Sequence, residues 1–110
     1  MITDILTAAG IQYRRGRFPS PPANTYAVYF DNISGEGADL VPISAGEHLP
    51  GIQHHDIMVE VYEPTPDDAV EASIEAELTA RGFSWSKQDR YWLQDVQRYQ
   101  VIYEFSYTTK

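Results

Sequence analysis

The sequence contains no cysteine, which excludes disulfide bonds and metal sites built on thiolates. It has only 8 lysine and arginine residues against 16 aspartates and glutamates, which gives a net charge of −8. Such a chain repels nucleic acid over most of its surface, although DNA can pass close by without binding. No apolar run approaches the roughly 20 residues that a membrane-spanning helix needs, and the first residues lack the pattern of a signal peptide. We therefore expect synthesis in the cytosol and no association with a membrane.

Recognisable catalytic motifs are also missing from the sequence. Gly35 and Gly37 stand outside a strand-to-helix turn and no lysine accompanies them, so they do not form a phosphate-binding loop. The serines have no histidine and aspartate partners at a spacing typical of nucleophilic catalysis. Five of the 16 carboxylates fall on the main predicted helix, where capping and exposure to solvent explain them. We therefore expect neither an enzyme nor a cofactor.

What the 110 residues do contain is enough apolar side chain, 43%, for one folded core, so we expect a single domain over residues 1–110. The predicted order is helix, strand, a loop or weak strand, strand, helix and three further strands. This order predicts an α+β fold, with a mainly antiparallel sheet of four to five strands and two helices packed on one face.

The best-marked part of the chain is a strand, a turn and a helix over residues 56–81. Ile57, Val59 and Val61 recur with a period of two, which predicts a strand over residues 56–62 with these side chains in the core. Further strands are predicted over residues 25–30, 83–86, 90–93 and 98–108, and a short helix over residues 2–9. Asp31 and Asn32 are predicted to begin a loop.

The main helix is predicted over residues 67–81, with Thr65 as its N-cap and Asp68 as the capping-box partner. Glu77 and Arg81 are spaced to form an ion pair, and Gly82 is placed to end the helix. Acidic residues of the first turn suit the positive end of the helix dipole. The apolar side of the helix comprises Val70, Ile74 and Leu78.

Three basic residues, Arg14, Arg15 and Arg17, are concentrated within four positions of an acidic chain. The sequence permits two interpretations: a contact for an acidic partner or phosphate, or an exposed loop in water. Three charges are few for binding nucleic acid, which favours the exposed loop, and we keep the three arginines as candidate contact residues.

A long, glycine-containing excursion over residues 34–51 is the second candidate contact surface. Pro42 weakens the short apolar stretch over residues 40–43 as a strand, and residues 44–51 are predicted to be an exposed loop. Long loops in small domains are often functional. The contact residues predicted here are Glu36, Asp39, Glu47, His48 and Leu49.

The only group with the chemistry of a metal site is His54 and Asp56, with His48 as a possible third ligand. Two histidines and a carboxylate are a common ligand set for zinc or iron. Adjacent residues of a strand point to opposite faces, however, so His55 cannot join His54. We therefore expect no metal, and keep a small metal-dependent enzyme only as an alternative.

Four segments resemble the tail-completion proteins of long-tailed bacteriophages, the group of tail terminators and tail-to-head joining proteins. The first runs from Gly10 through Phe18 and the prolines to the strand over residues 26–30, and the second is residues 37–39. The third is the strand over residues 57–62 with the following acidic helix, Gly82 and Trp85, and the last is the closing strand over residues 99–105. The likeness spans nearly the whole chain, but each of its motifs is short and structural.

The resemblance implies a phage or prophage assembly protein that forms a homo-oligomeric ring, usually of six subunits. The ring caps the finished tail tube, stops its growth and presents a surface to the head connector. The implied partners are therefore other copies of the chain, the tail-tube protein and the connector, and DNA passes nearby without specific binding. The implied location is the tail–head junction of the virion, after assembly in the bacterial cytoplasm.

A third class of function remains open, which is an acidic binding or inhibitor module that imitates nucleic acid. Such a module would bind a basic partner tightly at low salt, and the binding would weaken as salt is added.

Overall fold

The structure is a computed structural model that describes residues 1–34, 41–44, 47–49 and 53–109. Within these ranges the chain forms two helices and eight strands. The helices are α1 (Ile2–Ala8) and α2 (Asp68–Ala80). The strands are β1 (Gln12–Arg15), β2 (Tyr26–Ser34), β3 (Val41–Ser44), β4 (Glu47–Leu49), β5 (Gln53–Glu63), β6 (Trp85–Lys87), β7 (Tyr91–Leu93) and β8 (Arg98–Thr109).

Six strands form the main sheet, in the order β1-β2-β5-β8-β6, with β7 also paired to β8. Only β1 and β2 are parallel, and the other pairs of this sheet are antiparallel. Strands β3 and β4 form a separate two-stranded antiparallel ribbon. The predicted α+β class is confirmed, and the sheet has six strands where four to five were expected.

Both helices pack on one face of the main sheet, as predicted. Ile57, Val59 and Val61 of β5 point to this face and are almost completely buried, which confirms the period of two. Odd-numbered residues of β8 lie on the same face, because β5 and β8 pair in register. The remaining core residues come from the helices and from neighbouring strands: Ile2, Ile5, Leu6, Ala27, Ile74, Leu78, Val101, Tyr103 and Phe105.

Strands β2, β5 and β8 are longer than the sequence indicated and form an extended sheet. The chain measures 58 × 30 × 22 Å along its principal axes. Asp31 and Asn32 were expected to begin a loop, but both lie within β2 and pair with Ile57 and Asp56. Asp and Asn are depleted in strands, and pairing with a strong central strand overrides that preference.

Strand β1 was not predicted, because its sequence of one glutamine, one tyrosine and two arginines carries no apolar alternation. Its residues pair with β2 in parallel, from Gln12 opposite Tyr26 to Arg15 opposite Tyr29. The edge of a sheet accepts such polar sequences, since one side of the strand faces solvent. The predicted loop over residues 44–51 was also partly wrong, since Glu47–Leu49 pair with β3.

Helix α2 begins at Asp68, one residue later than predicted. Asp67 is the N-cap, and its carboxylate accepts hydrogen bonds from the Val70 amide at 3.2 Å and from the Thr25 hydroxyl at 2.7 Å. The prediction of Thr65 as cap was therefore wrong, since a carboxylate two residues later captures the amide. Gly82, with φ of +81°, ends the helix as predicted.

Candidate functional site

The sheet face opposite the helices is covered by neither of them, and we call it the open face. It carries the even-numbered side chains of β2, β5 and β8, because the three strands pair in register. Phe30, Met58 and Ile102 form the apolar centre of this face. Its carboxylates are those of Asp56, Glu60 and Glu104. Phe30 is 37% exposed, which is unusual for a central aromatic of a sheet.

One end of the open face is shielded by the connection between β1 and β2. Phe18 packs edge-on against Tyr26, whose ring stacks on Tyr62 at 5.1 Å between centroids. The Tyr62 hydroxyl donates to the Glu60 carboxylate at 2.7 Å. Burial and this carboxylate raise the pKa of Tyr62, so the hydroxyl keeps its proton at neutral pH.

The other end of the open face is an open concavity of about 620 Å³, which we call the acidic concavity. Asp56, Met58 and Glu104 line it, together with small polar side chains of neighbouring strands. The Ser106 hydroxyl donates to Oδ1 of Asp56 at 2.7 Å. A wide, negatively charged hollow with a methionine at its base suits a cationic side chain with an apolar stem better than a small neutral ligand.

The three predicted contact arginines lie together at the β1 edge of the sheet, and we call them the arginine corner. Arg14 pairs with Val28 in register and so lies on the side of the open face, where Arg17 also borders a small hollow. Arg15 lies on the opposite side and donates from Nη2 to the carbonyl of Asp31 at 3.3 Å. All three residues are exposed, and no carboxylate of residues 1–34 and 53–109 forms an ion pair with them.

The second predicted contact surface is only partly visible. Glu36 and Asp39 lie outside the described residues. Glu47, His48 and Leu49 form β4, whose backbone pairs with β3. The backbone pairing opposes His48 to Pro42 and Leu49 to Val41. These residues belong to a separate ribbon, whose strands are not paired with the main sheet that carries the arginine corner.

The proposed ligands His54 and Asp56 lie on the open face of β5, and His55 lies on the opposite side, as the strand geometry requires. His54 is exposed, whereas His55 is buried on the helix side and Asp56 is occupied by Ser106. Nδ1 of His55 lies 3.1 Å from Oδ1 of Asp31, and Nε2 lies 3.0 Å from the Thr109 hydroxyl. No cluster of three or more potential ligands occurs among the described residues.

A buried ion cluster joins α2 to the sheet. Arg90 lies with Nη2 at 2.6 Å from Oε2 of Glu71, and with Nε at 3.3 Å from Oε1 of Glu63. Lys87 lies with Nζ at 2.8 Å from the other oxygen of Glu71 and at 2.7 Å from Glu75. Each carboxylate oxygen of Glu71 therefore has its own cation, Lys87 at one and Arg90 at the other.

Glu63 is the least well paired member of the buried ion cluster. Its side chain is fully buried, and neither oxygen accepts a hydrogen bond from an N–H or hydroxyl donor of the described residues, despite the nearby Arg90. Burial and the neighbouring Glu71 carboxylate raise the pKa of Glu63 to about 8. Burial also opposes ionisation of Glu71, but its partners, including Lys87 and Arg90, outweigh that effect and lower its pKa. The pair therefore holds a proton in common at neutral pH.

Sequence reasoning missed the buried ion cluster. It placed Glu63 in a turn and Glu71 on the exposed first turn of the helix, whereas Glu63 ends β5 and both side chains are buried. The available signal was the phase of two patterns. Glu63 continues the core side of β5 after Val61, and Glu71 precedes Ile74 and Leu78 at helical spacing. The predicted Glu77–Arg81 pair is confirmed, at 3.3 Å.

No protein-family model and no curated protein matches this chain. Neither helix in the described part of the chain is long and apolar enough to cross a membrane.

Proposed function

We propose that this protein is a non-enzymatic assembly protein of the tail-completion type. In this proposal, copies of the chain form a ring, with six subunits as the expected number. The ring caps the phage tail tube, stops its growth and joins it to the head connector at the tail–head junction.

The observation that carries the proposal is the open face. Phe30, Met58 and Ile102 form an apolar centre that the chain's own helices leave uncovered, and carboxylates surround it. Exposed apolar patches edged by polar groups are typical of protein–protein contacts. The resemblance supplies the kind of assembly, and the open face supplies a surface through which such an assembly forms.

The order of elements is compatible with the proposal. A short α1, the strand unit β5–α2–β6 and the long closing strand β8 occur in the order that the resemblance implies. Helix α1, at seven residues, is too short to be stable alone and is held by packing on α2 and the sheet. A small domain of this kind gains stability from association with other copies.

The proposed contacts with the tail tube and connector involve the β3–β4 ribbon and the adjoining loop. This segment is separate from the main sheet and contains the predicted contact residues Glu47, His48 and Leu49. The net charge of −8 suits a ring whose lumen DNA crosses without binding, because like charges repel.

The direct test is tube capping. The proposal predicts that a tail-tube protein is encoded near this chain. That protein is polymerised with and without the purified chain, and tube lengths and end views are measured by electron microscopy. We expect shorter tubes that bear a ring at one end. Tubes of unchanged length and bare ends, at a saturating amount of the chain, would refute the proposal.

A further inference from the structure

The arginine corner and the acidic concavity are complementary in charge. Arg14 and Arg17 of the corner lie on the side of the open face, and Asp56 and Glu104 line the concavity on that same face. Arg14, Arg17 and Asp56 are exposed, and Glu104 is half-buried at the open concavity, so both features are accessible to a partner. Complementary charge patches of this kind guide association and fix its orientation.

Within one molecule these two features are too far apart to meet. Strand β1 is one edge of the main sheet, and β2 and β5 separate it from β8, which carries Glu104. Three strand spacings correspond to about 14 Å, which is twice the length of an arginine side chain. An ion pair between the two features therefore has to form between two molecules.

Arg14 and Arg17 lack the carboxylate partner that three of the other described cations have. Arg81, Lys87 and Arg90 each form ion pairs with glutamates of α2. Arg98 donates to the carbonyls of Ala23 and Gln97. Among residues 1–34 and 53–109, no carboxylate lies within ion-pair distance of Arg14 or Arg17.

The acidic concavity places carboxylates beside an apolar side chain, Met58, so it can bind both the charged end and the methylenes of an arginine. Glu104 pairs with Met58 across the strands, and Phe30 lies beyond Met58 in the same row. An arginine laid along this row would place its methylenes on Met58 and its guanidinium beside Glu104 and Asp56. The arginine would then make an apolar contact and an ion pair within the same concavity.

We propose that the acidic concavity of one copy receives the arginine corner, through Arg14 and Arg17, of a second copy. The contact joins two different surfaces, so it is head-to-tail and leaves one free surface of each kind at the ends. Repetition of such a contact closes into a ring when the rotation between neighbours permits. The inference rests on the proposed function in one respect, which is that copies of the chain associate.

The test uses charge reversal with complementation. The corner variant combines Arg14→Glu with Arg17→Glu, and the concavity variant combines Asp56→Lys with Glu104→Lys. The mass of each full-length protein is measured by sedimentation over a range of protein concentrations and at two salt concentrations. We expect each variant to weaken self-association at least about 100-fold, because like charges then face each other.

Mixing the two variants supplies the decisive measurement. Each corner then meets a concavity of opposite charge, so we expect the mixture to recover the mass of the wild-type assembly. The matched control combines Asp4→Lys with Asp89→Lys, which changes the net charge as the concavity variant does at exposed sites elsewhere. Circular dichroism of every variant verifies that the fold is retained.

The outcomes separate this inference from the proposed function. A wild-type assembly that survives both reversals overturns the inference, while ring formation through another surface still stands. A wild-type chain that is monomeric at all concentrations also overturns it, and tube capping then decides the proposed function separately. If the control variant dissociates to the same degree, the change in net charge alone explains the weaker self-association, and the assignment of these residues is overturned.

Discussion

The two faces of the main sheet are built from the same three strands and differ in almost every other respect. On the helix side, Ile57, Val59 and Val61 are sealed beneath α1 and α2. On the open face, the intervening positions of the same strand carry Met58 and Glu60, which are only half-buried. One face therefore stabilises the fold, and the other presents apolar side chains among charges.

The two faces also differ in the burial and pairing of their charged side chains. The helix side buries Glu63 and Glu71 and holds them with Arg90. The open face leaves Asp56 and Glu104 accessible. Buried charges need partners within the molecule, whereas exposed charges remain available to a partner outside it. In this fold the position of a carboxylate decides whether it is paired within the molecule or left accessible at the surface.

The sharpest way to test the contrast is a pair of identical substitutions on opposite faces. Ile57→Ala removes a side chain that is 2% exposed beneath the helices, and we expect it to lower the free energy of unfolding by about 2–5 kcal/mol. Ile102→Ala, on the open face of β8, is expected to cost less than about 1.5 kcal/mol, because the side chain is half-buried. Urea unfolding followed by tryptophan fluorescence measures both.

Equal losses for these two isoleucine variants would show that the open face is covered in the protein as tested. Repeating the measurement at low protein concentration distinguishes cover by another copy, since that contribution declines on dilution.

A second test removes the cation that the helix side requires. Arg90→Ala leaves Glu63 and Glu71 without their shared partner, and we expect a loss of about 2–3 kcal/mol after allowance for the partial exposure of Arg90. Arg81→Ala is the control, since its pair with Glu77 is exposed and is expected to contribute less than about 0.5 kcal/mol. Thermal and urea unfolding measure both variants, and similar losses would contradict a buried role for Arg90.

A third test concerns the pH dependence of stability. The pKa of Glu63 rises from its ordinary value to about 8 on folding, so the folded chain keeps a proton that the unfolded chain has released. The contribution of this group is complete below the unfolded pKa, and the free energy of unfolding falls as pH rises from there through 8, by at most about 1.4 kcal/mol per pH unit. Glu63→Gln is expected to remove this decline, which urea unfolding between pH 5 and 9 measures. An unchanged decline in the variant would assign it to another group.

Much of the helix side was predictable because its pattern is local. The period of two in β5 and the apolar spacing of α2 follow directly from Val59, Val61, Ile74 and Leu78. The open face was less accessible to sequence reasoning. The period of two placed Met58 on the side of β5 away from the core, but which residues of β2 and β8 join it there is fixed by the pairing of distant strands.

The missed features share one physical cause, which is pairing between distant segments. Strand β1 exists because β2 offers it a partner, although its own residues have little strand preference. Glu63 and Arg90 meet only after α2 has packed on the sheet, 27 positions apart in the chain. The arginine corner was identified from composition. Its position on the same face as the acidic concavity, several strands away, depends on the order of strands.

The edge position of β1 has a consequence for the form that any assembly takes. Sheet edges are templates for the addition of strands from other molecules, and uncontrolled addition leads to fibrous aggregates. In the described part of the chain β1 has a neighbour on one side only, and its last two residues, Arg14 and Arg15, are charged and exposed. Charged side chains oppose the stacking of one such edge on another. The same arginines therefore discourage growth by backbone pairing, which favours finite, face-to-corner assemblies over open-ended sheets.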